Sequence, residues 1–167
     1  GAGGTQRLPR IVGAHKALIM MTSGEHVPAN QCLEMGLVDE LANEGDLKKD
    51  ATNFANKIVS EGRPLVKVRD AEDKISSDKG NEELFTEFRK SISRKTRGFL
   101  APEYNIQCVE AAVNLPFEEG LKVEQDLFMK LMTGSQSAAQ RYIFFAERQV
   151  TKIPDIEKET PLKEISS

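Results

Sequence analysis

Apolar positions along this chain repeat mostly at three- and four-residue intervals, with little strict alternation, and that spacing belongs to helices. A short helix is expected from a cap at Thr5 towards Val12, where Gly13 stops it, and a second over His15 to Thr22. Pro28 suits a first helical turn and Gly36 a left-handed C-terminal cap, which together bracket a short helix over Ala29 to Met35. Residues 37–41 alternate and read as a brief strand or an extended link. Asp46 is placed to cap a helix carrying Leu47, Ala51, Phe54, Ala55, Ile58 and Val59 on one face, ended by Gly62 and Pro64.

Residues 65–80 keep no period beyond the alternation of Val66 and Val68. Asn81 then caps a helix with Leu84, Phe85, Phe88 and Ile92 on one stripe, closed by Gly98. Pro102 opens another, with Ile106, Val109, Ala112 and Val113 inward, and Pro116 opens a third, with Phe117, Leu121, Leu127, Phe128, Leu131 and Met132 at helical spacing. Gly134 stops that helix and Ser135 caps a last long one. From Pro154 the pattern gives way to charge. The expectation is a mostly α domain of about six to eight helices with little or no sheet.

Composition adds limits. With 39% hydrophobic and 29% charged residues in 167, the chain reads as one soluble globular domain's worth of sequence. A formal net charge of -3 speaks against a dedicated nucleic-acid surface or a membrane-seeking basic face. No apolar run approaches the roughly 18 residues of a membrane span. Cys32 and Cys108 lack a CxxC spacing and read as buried or half-buried free thiols in a reducing compartment, with no metal site. The opening Gly1-Ala2-Gly3-Gly4, without an initiator Met, suggests a piece of a longer chain.

Little chemistry is legible from spacing alone. Gly1-Ala2-Gly3-Gly4-Thr5 is not a dinucleotide fingerprint, because the third glycine position holds Gln6, and no Walker motif is present. The glycines either form a tight turn into a helix or let backbone N–H groups approach an oxygen closely. His15 and His26 stand apart from other ligand types. Glu82/Glu83 and Glu118/Glu119 are neighbours that do not face each other on a helix, so they read as solvated charge.

The order of motifs goes further. The run from Gly1 through Arg10, then Val12-Gly13, Lys16-Ala17-Leu18, Met21-Thr22-Ser23-Gly24, Val27-Pro28-Ala29 and Met35-Gly36-Leu37-Val38-Asp39-Glu40, resembles the stretch that follows the second catalytic glutamate of enoyl-CoA hydratases (crotonase family). Downstream, Phe99-Leu100-Ala101-Pro102, Pro116-Phe117-Glu118-Glu119-Gly120-Leu121, Glu124, Leu127-Phe128 and Leu131-Met132 are similar to the multifunctional fatty-acid β-oxidation enzymes. So are Tyr142 to Arg148 and Lys152-Ile153-Pro154. The resemblance covers residues 1–154.

It implies the C-terminal helical region of a crotonase-type fold plus linker helices, without the N-terminal β-β-α spiral core. The implied segments are 1–62 as the helical end of the hydratase/isomerase unit and 63–98 as a loop and helix of the multifunctional type. Residues 99–153 would be a helical linker and 154–167 a flexible tail. In the family the catalytic glutamates precede the glycine motif, so the resemblance assigns no catalytic residue here. It implies substrate contacts at Gly1, whose backbone would lie beside substrate, and at Phe145, Arg148 and Lys152, where a cation meets phosphate of acyl-CoA. No cofactor is expected in these residues, since NAD would bind a dehydrogenase part outside them. The compartment would be cytoplasmic in a bacterium and peroxisomal or mitochondrial in a eukaryote. The alternative is a non-catalytic helical interaction or oligomerisation module, and uncovered apolar faces make a homodimer the expected assembly.

Overall fold

The computed structural model describes residues 1–150, 152–154, 156 and 160–161. The charged tail expected over 154–167 otherwise lies outside them. Among the described residues there are eight α-helices and no strand, so the mostly α expectation holds. The chain divides into two compact units, Gly1–Met129 and Lys130–Ser167.

The first unit holds α1 (Gly4–Val12), α2 (Ala14–Ser23), α3 (Ala29–Met35), α4 (Leu47–Ser60), α5 (Glu82–Ile92), α6 (Leu100–Asn114) and α7 (Phe117–Thr133) as far as Met129. Short 3-10 turns at Val68–Asp70 and Ser76–Asp78 fill the stretch without a period. Helix α6 is central and packs against α1, α2 and α5. Its Ile106, Val109 and Val113 join Ala14 and Leu18 of α2, Phe85 and Phe88 of α5, and Ile75 in one buried cluster. Each fully buried Leu, Ile or Phe there contributes about 1.5–3 kcal/mol by leaving water.

Local signals account for several boundaries. Asn81 Oδ1 accepts from the Leu84 amide at 3.1 Å, the expected N-cap of α5. Gly36 closes α3 in the left-handed conformation at φ +76°. Gly13 ends α1 and starts α2: its N–H donates to Pro9 O at 2.8 Å and its carbonyl accepts from Ala17 at 3.1 Å. One expectation needs correction and two are narrowed. Thr5 is not the cap of α1, because the helix begins at Gly4 with Gly3 as N-cap. Asp46 stands at the N-cap of α4 without a side-chain cap bond. Residues 37–41 take the link reading and not the strand.

Helix α4 buries none of its residues, and Leu47 and Val59 on its expected inner face are open to solvent. Arg89 on α5 makes paired hydrogen bonds at 2.7–3.1 Å to Glu103 and Glu110, two turns apart on α6. Their hydrogen bonds hold the Arg89 proton more tightly than usual.

The second unit holds the end of α7 and α8 (Ser135–Val150). Gly134 separates the two helices, and a Cβ there would stand 3.0 Å from Lys130 O. None of the α8 residues is buried. Among the described residues, no helix is long and apolar enough to cross a membrane.

Candidate functional site

The glycine motif folds as a left-handed turn that feeds α1. Ala2 has φ +58° and Gly3 φ +79°. A non-glycine residue in this region is strained by about 1–3 kcal/mol and persists only when its surroundings hold it. At Gly3 the positive φ favours glycine, and a Cβ would also stand 3.1 Å from Leu121 Cδ2 and displace the Arg7 guanidinium, 2.6 Å away.

The amides at the start of α1 lack helical acceptors. Two amides here, those of Gly3 and Thr5, are met by one side chain, Glu124 of α7, which is 3% exposed. Its carboxylate accepts from the Gly3 amide at 2.5 Å, from the Thr5 amide at 3.1 Å and from the Thr5 hydroxyl. A carboxylate at a helix N-terminus also meets the positive end of the macrodipole. This saturation makes Glu124 an acceptor that fixes the turn, not a carboxylate aimed at a reactant.

Next along α1, Gln6 is fully buried. Its Nε2 donates to Cys108 O at 2.8 Å and to Thr5 Oγ1 at 3.1 Å. A Cβ at Gly120 would collide with Gln6 Oε1, so glycine at 120 lets α7 approach this amide. Arg10 is buried as well, donating to Ala71 O at 3.0 Å and Ala112 O at 3.4 Å. Its guanidinium lies 5.5 Å from the Phe117 ring centroid, and that of Arg69 lies 5.2 Å from the same centroid. Burial pushes the Cys108 thiol above its ordinary range, the Thr5 side chain opposing this and the Glu124 charge adding to it. Cys32 is half-buried, and both cysteines are free thiols as expected.

Of the four expected substrate contacts, Gly1 is exposed and its backbone lies on the Phe128 ring: a Cβ would stand 3.1 Å from two ring carbons. Phe145, Arg148 and Lys152 belong to the second unit. Phe145 is 60% exposed and packs edge-on against Phe144 at 5.3 Å. The Arg148 guanidinium stacks 3.4 Å from the Phe144 ring centroid. Lys152 is exposed beyond the end of α8. The surface of α8 thus combines Ile143, Phe144 and Phe145 with the cations Arg141 and Arg148, a mixture suited to an anion with apolar parts.

Sequence reasoning missed the role of Glu124, Gln6 and Arg10. A signal existed for Glu124: it lies three residues from both Leu121 and Leu127 and four from Gly120 and Phe128, on the inward stripe of α7. Among the described residues, no group of His, Cys, Asp and Glu is placed to hold a metal ion.

A turn of small residues, bound by an acid from a distant helix and followed by helices alone among the described residues, is what the structure offers for comparison with known proteins. The family model for enoyl-CoA hydratase/isomerase matches residues 1–99, and the chain belongs to that family. It is 38% identical over 152 residues to the peroxisomal bifunctional enzyme of Cavia porcellus, with 91% of this chain covered and 20% of that protein. The corresponding human protein is 37% identical over 91% of this chain and 21% of its own length. The fatty acid oxidation complex subunit alpha of Shewanella frigidimarina is 35% identical over 98% of this chain and 23% of its own length. The chain therefore spans about a fifth of these curated relatives. They bear out the resemblance to multifunctional β-oxidation enzymes, including the helices beyond residue 99.

Proposed function

We propose that this chain is the helical C-terminal part of the hydratase/isomerase unit of a fatty-acid β-oxidation enzyme acting on 2-enoyl-CoA, together with the helices that lead to a 3-hydroxyacyl-CoA dehydrogenase part. The observation that carries the reading is the family match over residues 1–99 combined with relatives that continue through α8 and are named for fatty acid oxidation or as bifunctional. Hydration of an enoyl thioester needs two carboxylates to activate a water and protonate the α-carbon, and two backbone N–H groups to hold the enolate oxygen. The resemblance assigns those roles to no glutamate of this chain, and the one buried glutamate among the described residues, Glu124, is committed to the turn. Gly1 offers backbone to the substrate, and Phe145, Arg148 and Lys152 offer ring and charge to the CoA moiety. NAD belongs to the dehydrogenase part. The compartment is the peroxisome or mitochondrion in a eukaryote and the cytoplasm in a bacterium.

The test is spectrophotometric loss of the conjugated thioester of crotonyl-CoA. The 167-residue chain alone is expected to give no turnover, and joining it to the catalytic half of a related hydratase is expected to create turnover. Activity of the chain alone above buffer would refute its inactivity, and an inert joined enzyme would refute the hydratase reading. A second reading, a helical association module forming a homodimer, is favoured by the open groove where Leu37, Val38, Leu41, Leu47 and Phe54 stand beside Asp39, Glu40 and Asp50. Light scattering that gives only an 18.5 kDa monomer at micromolar concentration removes it.

A further inference from the structure

We propose that Glu124 is a positioning residue for the hydratase reaction, and that α7 acts through it as the template on which the Gly1–Gly3 turn is set. The inference rests on the hydratase reading above and deepens it, because α7 lies beyond the residues that the family model matches. Three positions along one side of α7 touch the turn, of which Glu124 is buried. Leu121 packs beneath Gly3, Glu124 binds the Gly3 and Thr5 amides and the Thr5 hydroxyl, and Phe128 lies against Gly1.

The turn cannot set its own shape. Ala2 is left-handed without being glycine, and Gly3 provides no side chain to cap α1. One carboxylate with two oxygens satisfies three donors, which fixes the relative height of residues 3 and 5 and so the direction in which residues 1 and 2 leave the helix. Arg7 Nη2 donates to Ala2 O at 2.6 Å from the open side, so the Ala2 peptide is held from above as Gly3 is held from below. A backbone group that must stand beside a reacting carbon tolerates little displacement, since a shift of about 1 Å can cost about 100-fold in rate. Substrate affinity, shared among many contacts of which Gly1 is one, depends less steeply on that displacement.

Glu124→Gln keeps the shape but turns an amide N–H₂ towards the donors, and Glu124→Asp keeps the charge but withdraws it by one methylene. In the 167-residue chain, both are expected to raise hydrogen exchange at the Gly3 and Thr5 amides while leaving Val109 in α6 protected. In the joined enzyme, Glu124→Gln is expected to lower kcat about 10- to 100-fold with KM within about two-fold, and Glu124→Asp to lie between it and the parent. Glu119→Gln, exposed on the same helix, should leave kcat unchanged. Parental kcat in Glu124→Gln, or unchanged exchange at Gly3 and Thr5 in both variants, overturns the proposal. If Glu124→Gln does not fold, Glu124→Asp decides by the same kcat and exchange readings. A parent enzyme that is itself inert, with the exchange result as expected, overturns the hydratase reading and leaves Glu124 as a structural cap without a part in that reaction.

Discussion

Helix α1 turns Thr5, Gln6, Pro9, Arg10 and Val12 inward, whereas α8 carries Tyr142, Ile143, Phe144 and Phe145 outward and buries nothing. Hydropathy alone would have arranged the two the other way round. Most polar groups of α1 are inside with partners: Cys108 O, Ala71 O, Ala112 O and Glu124 meet them, and a hydrogen-bonded polar atom loses little on leaving water, whereas Gln6 Oε1 and Arg10 Nε are buried without a hydrogen-bond partner. The aromatic groups of α8 are outside because, among the described residues of its unit, no second face receives them. Burial in this protein follows partners, and composition only secondarily.

The strongest break in that contrast is the same substitution made in both regions. Phe85→Ala, at 2% exposure, removes a ring from the main cluster and is expected to cost about 3–5 kcal/mol. Phe145→Ala is expected to stay within about 0.5 kcal/mol. Urea unfolding followed by circular dichroism measures both, and comparable losses would mean that α8 is covered in solution.

A smaller effect sharpens the polar side. Gly120→Ala drives a methyl into Gln6 Oε1 and should cost about 1–3 kcal/mol, whereas Gly4→Ala, with nothing within 4 Å of its Cβ, should be neutral or slightly stabilising. Thermal melts of the two variants decide it. Equal and small shifts would show that α7 can retreat from α1 without loss.

The smallest effect is acid-dependent. Burial tends to raise the Glu103 carboxyl, but hydrogen bonds from Arg89 and Gln107 outweigh it and hold the group below its ordinary 4.5. A depressed carboxyl stabilises the fold above that ordinary value, and the contribution is lost as pH falls through the folded one. Because the pair is partly exposed, the loss should be under about 1 kcal/mol. Urea midpoints near neutrality and below about 4.5 should converge for parent and Glu103→Gln as pH falls, and a constant gap would contradict the linkage.

These experiments also mark where sequence reading ran out. The helices were legible because their signals are local: Asn81 caps α5, Gly36 closes α3, and Ile106, Val109 and Val113 share a face of α6. The polar network was not, because Gln6, Arg10 and Glu124 are residues whose default place is solvent, and only partners far along the chain overrule it. Val59 failed in the opposite sense, apolar on an expected inner face yet 80% exposed. At the candidate site, the glycine turn could be read, but the acid that holds it could be found only by asking why a charge sits on the inward stripe of α7.

The Gly3–Glu124 bond spans 121 positions and the Gln6–Cys108 bond 102. During synthesis at about 5–20 residues per second, α1 leaves the ribosome and waits on the order of 10 s for the helices that complete it. Had its inner face been Leu and Phe, that interval would expose an adhesive stripe in a crowded cell. A face of Thr5, Gln6 and Arg10 stays hydrated until α6 and α7 emerge. The chemistry that makes this region hard to recognise also lets the nascent segment wait without sticking.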